Sequence, residues 1–196
     1  MADRVAVLLD YENVLRGGWE LYGRGREIYQ CVPEPSLVAD VIAAARGQES
    51  MVTAIYVFRG RPDPRKQPLP GSANDRQAAQ WARRDPRVRM VRHPLAYRDW
   101  PRLPPVEKGV DVALAIELVR LALQEGEQYE ALVVFSGDTD LRPALDLCRK
   151  IGGPAVEVTC WDGAKPLQIP GTPKLPCHYL SPAAWRKVIR DWSGRA

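Results

Sequence analysis

The chain has 196 residues, of which 28 are lysine or arginine and 24 are aspartate or glutamate, and 45% of its residues are hydrophobic. This length suits one domain with a short appendage, and the hydrophobic fraction is ordinary for a chain that buries a sizeable core. No apolar run is long enough to span a membrane, and the run after Arg4 is too short for a signal-peptide core, so the sequence predicts a soluble cytoplasmic protein.

Short apolar runs and helical spacing alternate along the first half of the chain. Residues 4–9 and 51–58 are apolar or β-branched runs that predict two buried strands. Between them, residues 36–46 show helical spacing that stops at Gly47. Residues 59–72 are rich in proline, which predicts a loop that cannot pair as strand or helix.

The second half continues this alternation. An exposed helix is predicted over 74–85, and a third strand over 87–92. After a long loop, residues 110–124 are apolar over most of a helix circumference, which predicts a buried helix that Gly126 ends. A helix around residues 141–150 separates two further predicted strands, 131–135 and 155–160.

Strands that alternate with helices predict an α/β fold with a doubly wound, Rossmann-like parallel sheet of five strands and helices on both faces. We assign this domain to residues 1–160. Residues 161–196 are predicted to be a Pro-rich tail with a short C-terminal helix that carries Trp185 and Trp192. The tail is expected to pack back on the domain or to contact a partner, which leaves a homo-oligomer open.

Acidic residues follow the two strands expected at the centre of the sheet. Asp10 ends the first strand, Asp138 and Asp140 follow the fourth, and Asp111 begins the helix just upstream of that fourth strand. These positions meet at one sheet edge, where ligands bind in this architecture. Carboxylates that lie close together raise one another's pKa unless a cation joins them, and carboxylate oxygens favour Mg²⁺ or Mn²⁺.

Each of these acids also has a structural interpretation. An aspartate after a strand often caps the next helix, which applies to Asp138 and Asp140, and Asp10 can serve as a turn residue. Asp111 can complement a helix dipole without binding anything. Asn13 can hydrogen-bond a carboxylate or a scissile phosphate, or simply adopt a turn conformation.

Basic residues crowd the middle third of the chain, although the net charge is only +4. Arginines there are candidates to grip phosphates, and interleaved aromatic residues are candidates to stack on unpaired bases. The alternatives are a solvated surface for the arginines and packing within the loop for the aromatic pair. The candidates are Arg59, Arg61, Arg98, Arg102, Tyr97 and Trp100.

Three segments together resemble the NYN domain of the PIN-like nuclease superfamily. They are LLDYENV at the first strand, EKGVDVALAIELV at the buried helix and VVFSGDTDLRPAL at the fourth strand. The resemblance spans residues 4–160. It implies a parallel sheet of strand order 3-2-1-4-5 and a metal-dependent ribonuclease that leaves 5′-phosphate and 3′-hydroxyl ends.

The resemblance also implies roles for individual residues. The acidic metal-binding positions match Asp10, Asp111 and Asp138. Asp140 matches a position that ligates the metal or supports its ligands, and Asn13 matches the polar partner in the family pattern. Lys108 matches a lysine that can pair with an acid or with phosphate. The loops at 59–72 and 93–105 are not dictated by the family pattern, so we expect substrate choice to depend on them.

The predicted function is therefore hydrolysis of RNA phosphodiester bonds with Mg²⁺ or Mn²⁺. The alternative is a catalytically weak or inactive NYN-domain protein that binds RNA or acts as a scaffold. A haloacid-dehalogenase-type phosphatase is disfavoured by Glu12, because that chemistry uses aspartate there. A zinc site from Cys160, Cys177 and His178 lacks the usual paired spacing. The choice between RNA and DNA, and among RNA classes, stays open.

Overall fold

The computed structural model describes residues 1–124 and 128–192. Its first half contains β1 (Asp3–Asp10), α1 (Tyr11–Tyr22), β2 (Val32–Pro33), α2 (Pro35–Ala45), β3 (Ser50–Arg61), α3 (Pro68–Arg84) and β4 (Val88–Pro94). Its second half contains α4 (Val110–Gln124), β5 (Ala131–Phe135), α5 (Arg142–Ile151), β6 (Ala155–Trp161), β7 (Cys177–Leu180), α6 (Pro182–Val188) and β8 (Ile189–Arg190). The helix end predicted at Gly126 lies outside the described residues.

The central sheet has six strands in the order β4-β3-β1-β5-β6-β7, and every neighbouring pair is parallel. The predicted α/β class with a parallel sheet is confirmed. The predicted sheet of five strands in the order 3-2-1-4-5 is wrong, because Cys177–Leu180 adds a strand beside β6. These four residues lie in the segment predicted as a tail. The strand is short and prolines lie close to both of its ends, so the sequence pattern did not indicate it.

Helices cover both faces of the sheet. Alternate residues of β1 point to opposite faces, so Val5, Val7 and Leu9 belong to one core layer while Ala6 and Leu8 belong to the other. The first layer also holds side chains of α1, α2, α3 and α6, and the second holds those of α4 and α5. β1 is thus buried on both faces, which explains its continuous apolar run.

The structure differs from the sequence prediction in three helices. The chain turns into α1 directly after β1, and the sequence prediction contained no helix there. α3 begins at Pro68, inside the proposed loop, because Pro68 and Pro70 fall in the first helical turn, where a backbone N–H has no helical acceptor. α4 is not buried all round, since Val112 and Ile116 are more than half exposed.

The C-terminal segment packs back on the domain. Trp185 of α6 is 2% exposed and lies 5.2 Å, between ring centroids, from Trp161 at the end of β6. Gly18 of α1 makes room for this pair, because a Cβ there would overlap the Trp185 ring. Within the described residues, no helix is both long enough and apolar enough to cross a membrane.

Candidate metal centre

The carboxyl ends of β1 and β5 lie side by side, because Leu9 pairs in register with Phe135. Both strands lead into an aspartate that caps the next helical segment. Asp10 accepts a hydrogen bond from the backbone N–H of Asn13 at the start of α1. Asp138 accepts one from the N–H of Asp140, which lies in a 3₁₀ turn that leads into α5. The structure therefore brings acids from distant segments to one sheet edge.

A compact acidic group forms at this edge. Asp111, Asp138 and Asp140 each offer a carboxylate oxygen, and these atoms all lie within 4.8 Å of one another. Asp111 lies in the first turn of α4, as predicted. No described residue forms an ion pair with any of the three. A set of carboxylate oxygens without a basic partner suits a hard divalent cation, and therefore fits the predicted Mg²⁺ or Mn²⁺.

Asp10 borders this group without belonging to it. Its Oδ2 accepts hydrogen bonds from Asn13 Nδ2 at 2.6 Å and from Ser136 Oγ at 2.9 Å. The same Ser136 hydroxyl accepts the backbone N–H of Asp138 at 3.0 Å. Asn13 also accepts the N–H of Gly137 at 3.2 Å through its Oδ1. Ser136 and Asn13 thus tie Asp10 to the Asp138 loop and fix the relative positions of the two segments.

Burial raises the pKa of the Asp10 carboxyl, which is 5% exposed, while hydrogen bonds from Ser136 and Asn13 oppose that shift. The negative charge of Asp138 raises this pKa further. Burial and the neighbouring charge therefore both disfavour the ionised form of Asp10.

A further acid at this edge was missed in the sequence. Burial raises the pKa of Glu107, and the charges of Glu12 and Asp10 raise it further. Its carboxylate accepts the backbone N–H of Gly60, near the end of β3, at 2.5 Å. The only signal was its position just before the helix that carries Asp111. Lys108 beside it is exposed and makes no hydrogen bond or ion pair with a described residue.

The predicted RNA-binding residues occupy several places near the ends of β3 and β4. The Arg59 guanidinium lies 4.8 Å above the ring of Tyr11, next to Asp10 in the chain. Arg61 and Arg98 line a cavity of about 460 Å³, whereas Arg102 is exposed and pairs with Asp99. The structure therefore does not bring these four arginines together at one point.

Tyr97 and Trp100 pack against each other, with ring centroids 5.8 Å apart. The Tyr97 hydroxyl accepts the backbone N–H of Asp63 and donates to Gln67, both at 2.8 Å. The alternative of a packing role within the loop therefore describes Tyr97 well. Trp100 is 37% exposed and keeps part of its ring in contact with solvent.

The zinc alternative has no matching geometry. The sulfurs of Cys160 and Cys177 lie 3.9 Å apart, but His178 Nε2 bonds to the Glu157 carboxylate at 2.6 Å instead. Within the described part of the chain, the one group of at least three candidate metal ligands is the aspartate group.

The NYN domain family model matches residues 4–166, which include every acid of this edge. The chain belongs to the NYN domain family. Members of this family have a nuclease-like fold and generally act on RNA. No curated protein matches the chain. A crystal structure of a protein of unknown function from Vibrio parahaemolyticus is similar to it, at 15% identity over 81% of each chain and a TM-score of 0.49.

Proposed function

We propose that this NYN-domain chain is a divalent-metal-dependent ribonuclease that hydrolyses RNA phosphodiester bonds at the edge formed by Asp10, Asp111, Asp138 and Asp140. One observation carries the proposal: carboxylates from two remote segments meet within 4.8 Å, with no basic partner among the described residues. Three such charges repel one another, so a cation stabilises the arrangement.

The ion would be held by Asp111, Asp138 and Asp140. When bound, a divalent ion supplies an activated water and offsets the charge that develops on the phosphate. The Oδ2 atom of Asp10 is already engaged by Asn13 and Ser136, whereas its Oδ1 is held by one longer hydrogen bond of 3.3 Å. Asp10 Oδ1 is therefore the oxygen that remains available to accept a proton or a ligand.

The remaining residues of this proposal position the RNA. Lys108 precedes Asp111 by three residues, is exposed and forms no ion pair with a described residue, so it is suited to pair with the scissile phosphate. The exposed ring of Trp100 offers a surface for a base, and Tyr97 supports that ring. Phosphates on either side would contact Arg59, Arg61, Arg98 and Arg102. We propose 5′-phosphate and 3′-hydroxyl products.

The test is cleavage of a 5′-labelled single-stranded RNA with Mn²⁺ or Mg²⁺. We expect Asp111→Asn and Asp138→Asn to lose at least about 100-fold in rate, because each removes a charge that holds the ion. Asp162→Asn is the matched control. Asp162 also comes directly after a parallel strand, β6, but is not in the acidic group.

The outcomes separate the two functions. Equal cleavage by wild type and Asp138→Asn contradicts the mechanism and indicates a contaminating nuclease. Salt-dependent binding of RNA by a wild-type chain that cleaves nothing, with either metal, supports the binding or scaffold function instead.

A further inference from the structure

A second basic region lies away from the acidic group. A cleft of about 1000 Å³ separates α3 from the segment around Ile28–Val32 and from the C-terminal residues 190–192. Among the described residues that line this cleft, one is acidic, Asp191. Its walls carry five arginines: Arg59, Arg76, Arg83, Arg84 and Arg190.

The arginines of this cleft are only partly neutralised by the protein. Arg84 pairs with Glu34 at 3.3 Å, and Arg190 donates to backbone carbonyls. Arg76 and Arg83, seven residues apart on α3, make no hydrogen bond or ion pair with a described residue. So many guanidinium groups around one concavity produce a positive potential that attracts an anion. Guanidinium groups also match phosphate oxygens geometrically.

The uncharged lining residues of the cleft favour a nucleic acid over a simple anion. Leu15, Ile28 and Val32 contribute apolar surface, and Tyr29, which is 49% exposed, and Trp192 contribute aromatic rings. Proteins that bind single-stranded nucleic acids commonly use a positively charged groove with aromatic rings. The phosphates contact the basic side chains, and the bases stack on the rings.

One residue of the cleft, Arg59, lies close to the end of β1, where Asp10 stands. Arg59 comes directly after Phe58, which pairs in register with Asp10, and the Arg59 guanidinium covers the Tyr11 ring. From Pro70 to Arg84 the lining of α3 extends about 21 Å, at about 1.5 Å per residue. That length accommodates several phosphates of a single strand.

We propose that this α3 cleft is a second RNA-binding site, which holds the phosphodiester backbone of a single strand on one side of the scissile bond. The proposal rests on the ribonuclease function for its choice of RNA as the ligand. It assigns phosphate contacts to Arg76 and Arg83, and stacking contacts to Tyr29 and Trp192.

The test measures binding rather than cleavage. A labelled single-stranded RNA of about 12 nucleotides is titrated in EDTA against the full chain carrying Asp138→Asn, at about 50 to 200 mM salt. In this background, Arg76→Gln with Arg83→Gln should weaken binding roughly tenfold. It should also reduce the slope of log affinity against log salt by about 1.4, which corresponds to two lost phosphate contacts on a single strand.

The matched control is Lys165→Gln with Lys174→Gln. Both lysines are exposed, and they lie in the connection from β6 to β7, whose Leu167 and Leu175 pack in the opposite core layer. The net charge changes by the same amount in both double variants. We expect the control to bind RNA within about twofold of its parent, and both variants to unfold at the temperature of the parent.

Three results would overturn the proposal: unchanged binding in the arginine variant, an equal loss in the lysine variant, or equal competition by a polyglutamate of the same charge. The last result would show a general anion surface. A weakened arginine variant combined with no cleavage by the wild-type chain would retain this site and reject the ribonuclease.

Discussion

Carboxylates lie at both ends of the central sheet, but Glu157 at one end has basic partners, whereas the aspartate group at the other end has none among the described residues. At the end where the strands begin, Glu157 of β6 receives two hydrogen bonds of 2.8 Å from Arg46 and one contact of 2.6 Å from His178. Arg46, with a side chain that is 1% exposed, also bonds to Asp3 at 3.1 Å. Although burial acts to raise the pKa of Glu157, Arg46 and His178 hold that pKa at about 2.

At the end where the strands finish, Asp111, Asp138 and Asp140 have no such partner among the residues described, and the pKa of Asp10 is raised by burial. The same fold therefore builds a complete ion pair at one end and leaves the other end short of positive charge. The internal pair contributes to stability, whereas we propose that the acidic edge binds a cation from solution. Single substitutions at the two ends can separate these roles.

The largest expected effect comes from breaking the internal pair. Glu157→Gln leaves the buried Arg46 charge without its main partner, so we expect the free energy of unfolding to fall by about 3–5 kcal/mol in urea titrations. The matched control is Glu130→Gln, whose partner Arg4 is 43% exposed, as is Glu130 itself. Solvent screens that exposed pair, so its loss should change the free energy of unfolding much less. Equal small losses would show that burial does not distinguish the two pairs.

The same pair predicts a pH dependence. Glu157 has a pKa of about 2 in the folded protein against 4.5 as its ordinary value, so its contribution is complete above pH 4.5 and is lost as the pH falls towards 2. The contribution that disappears is roughly 3 kcal/mol. Urea unfolding of wild type and Glu157→Gln, compared from about pH 6 to about pH 3, should show a stability difference that narrows once the pH falls below the ordinary pKa. A constant difference would contradict the assignment.

The acidic edge should respond to metal instead. At about 100 times its dissociation constant, Mn²⁺ should stabilise the wild-type chain by about 2.7 kcal/mol, seen as a rise in Tm. Asp138→Asn should lose this rise, because it removes a ligand. Glu157→Gln should retain it despite its lower starting stability. A rise that disappears in Glu157→Gln and persists in Asp138→Asn would place the metal at the wrong end of the sheet.

The acidic edge could be predicted from the sequence, whereas the ion pair at the opposite end could not. Asp10, Asp138 and Asp140 stand at or just after the ends of apolar strands, and parallel strands all end at the same edge of a sheet, so local pattern and topology suffice. Arg46 and Glu157 are 111 residues apart in the chain. Their contact depends on where the end of α2 packs against the sheet, which a single sequence does not encode locally.

The remaining differences have similar physical causes. Glu107 was missed because its carboxylate bonds to the backbone of Gly60, 47 residues away on another strand, and such a contact leaves no local pattern in the sequence. The α3 cleft depends on the C-terminal residues folding across α3, and β7 is too short for its alternation to be recognised. Proline content led to the wrong prediction of a loop at residues 59–72, because the position of a proline within a helix matters more than its presence.

The smallest predicted effect is a change in the free energy of unfolding, and it measures the repulsion among the aspartates of the acidic edge. Asp140 is exposed and does not cap the 3₁₀ turn, since Asp138 does, so Asp140→Asn removes repulsion without removing a cap. In EDTA this change should raise the free energy of unfolding by about 0.5 kcal/mol, whereas Asp162→Asn should leave it unchanged. In Mn²⁺ the sign should reverse, because the variant then lacks a ligand. A loss of stability in EDTA would mean that the protein already compensates Asp140, and that its acidic edge has no need of an ion.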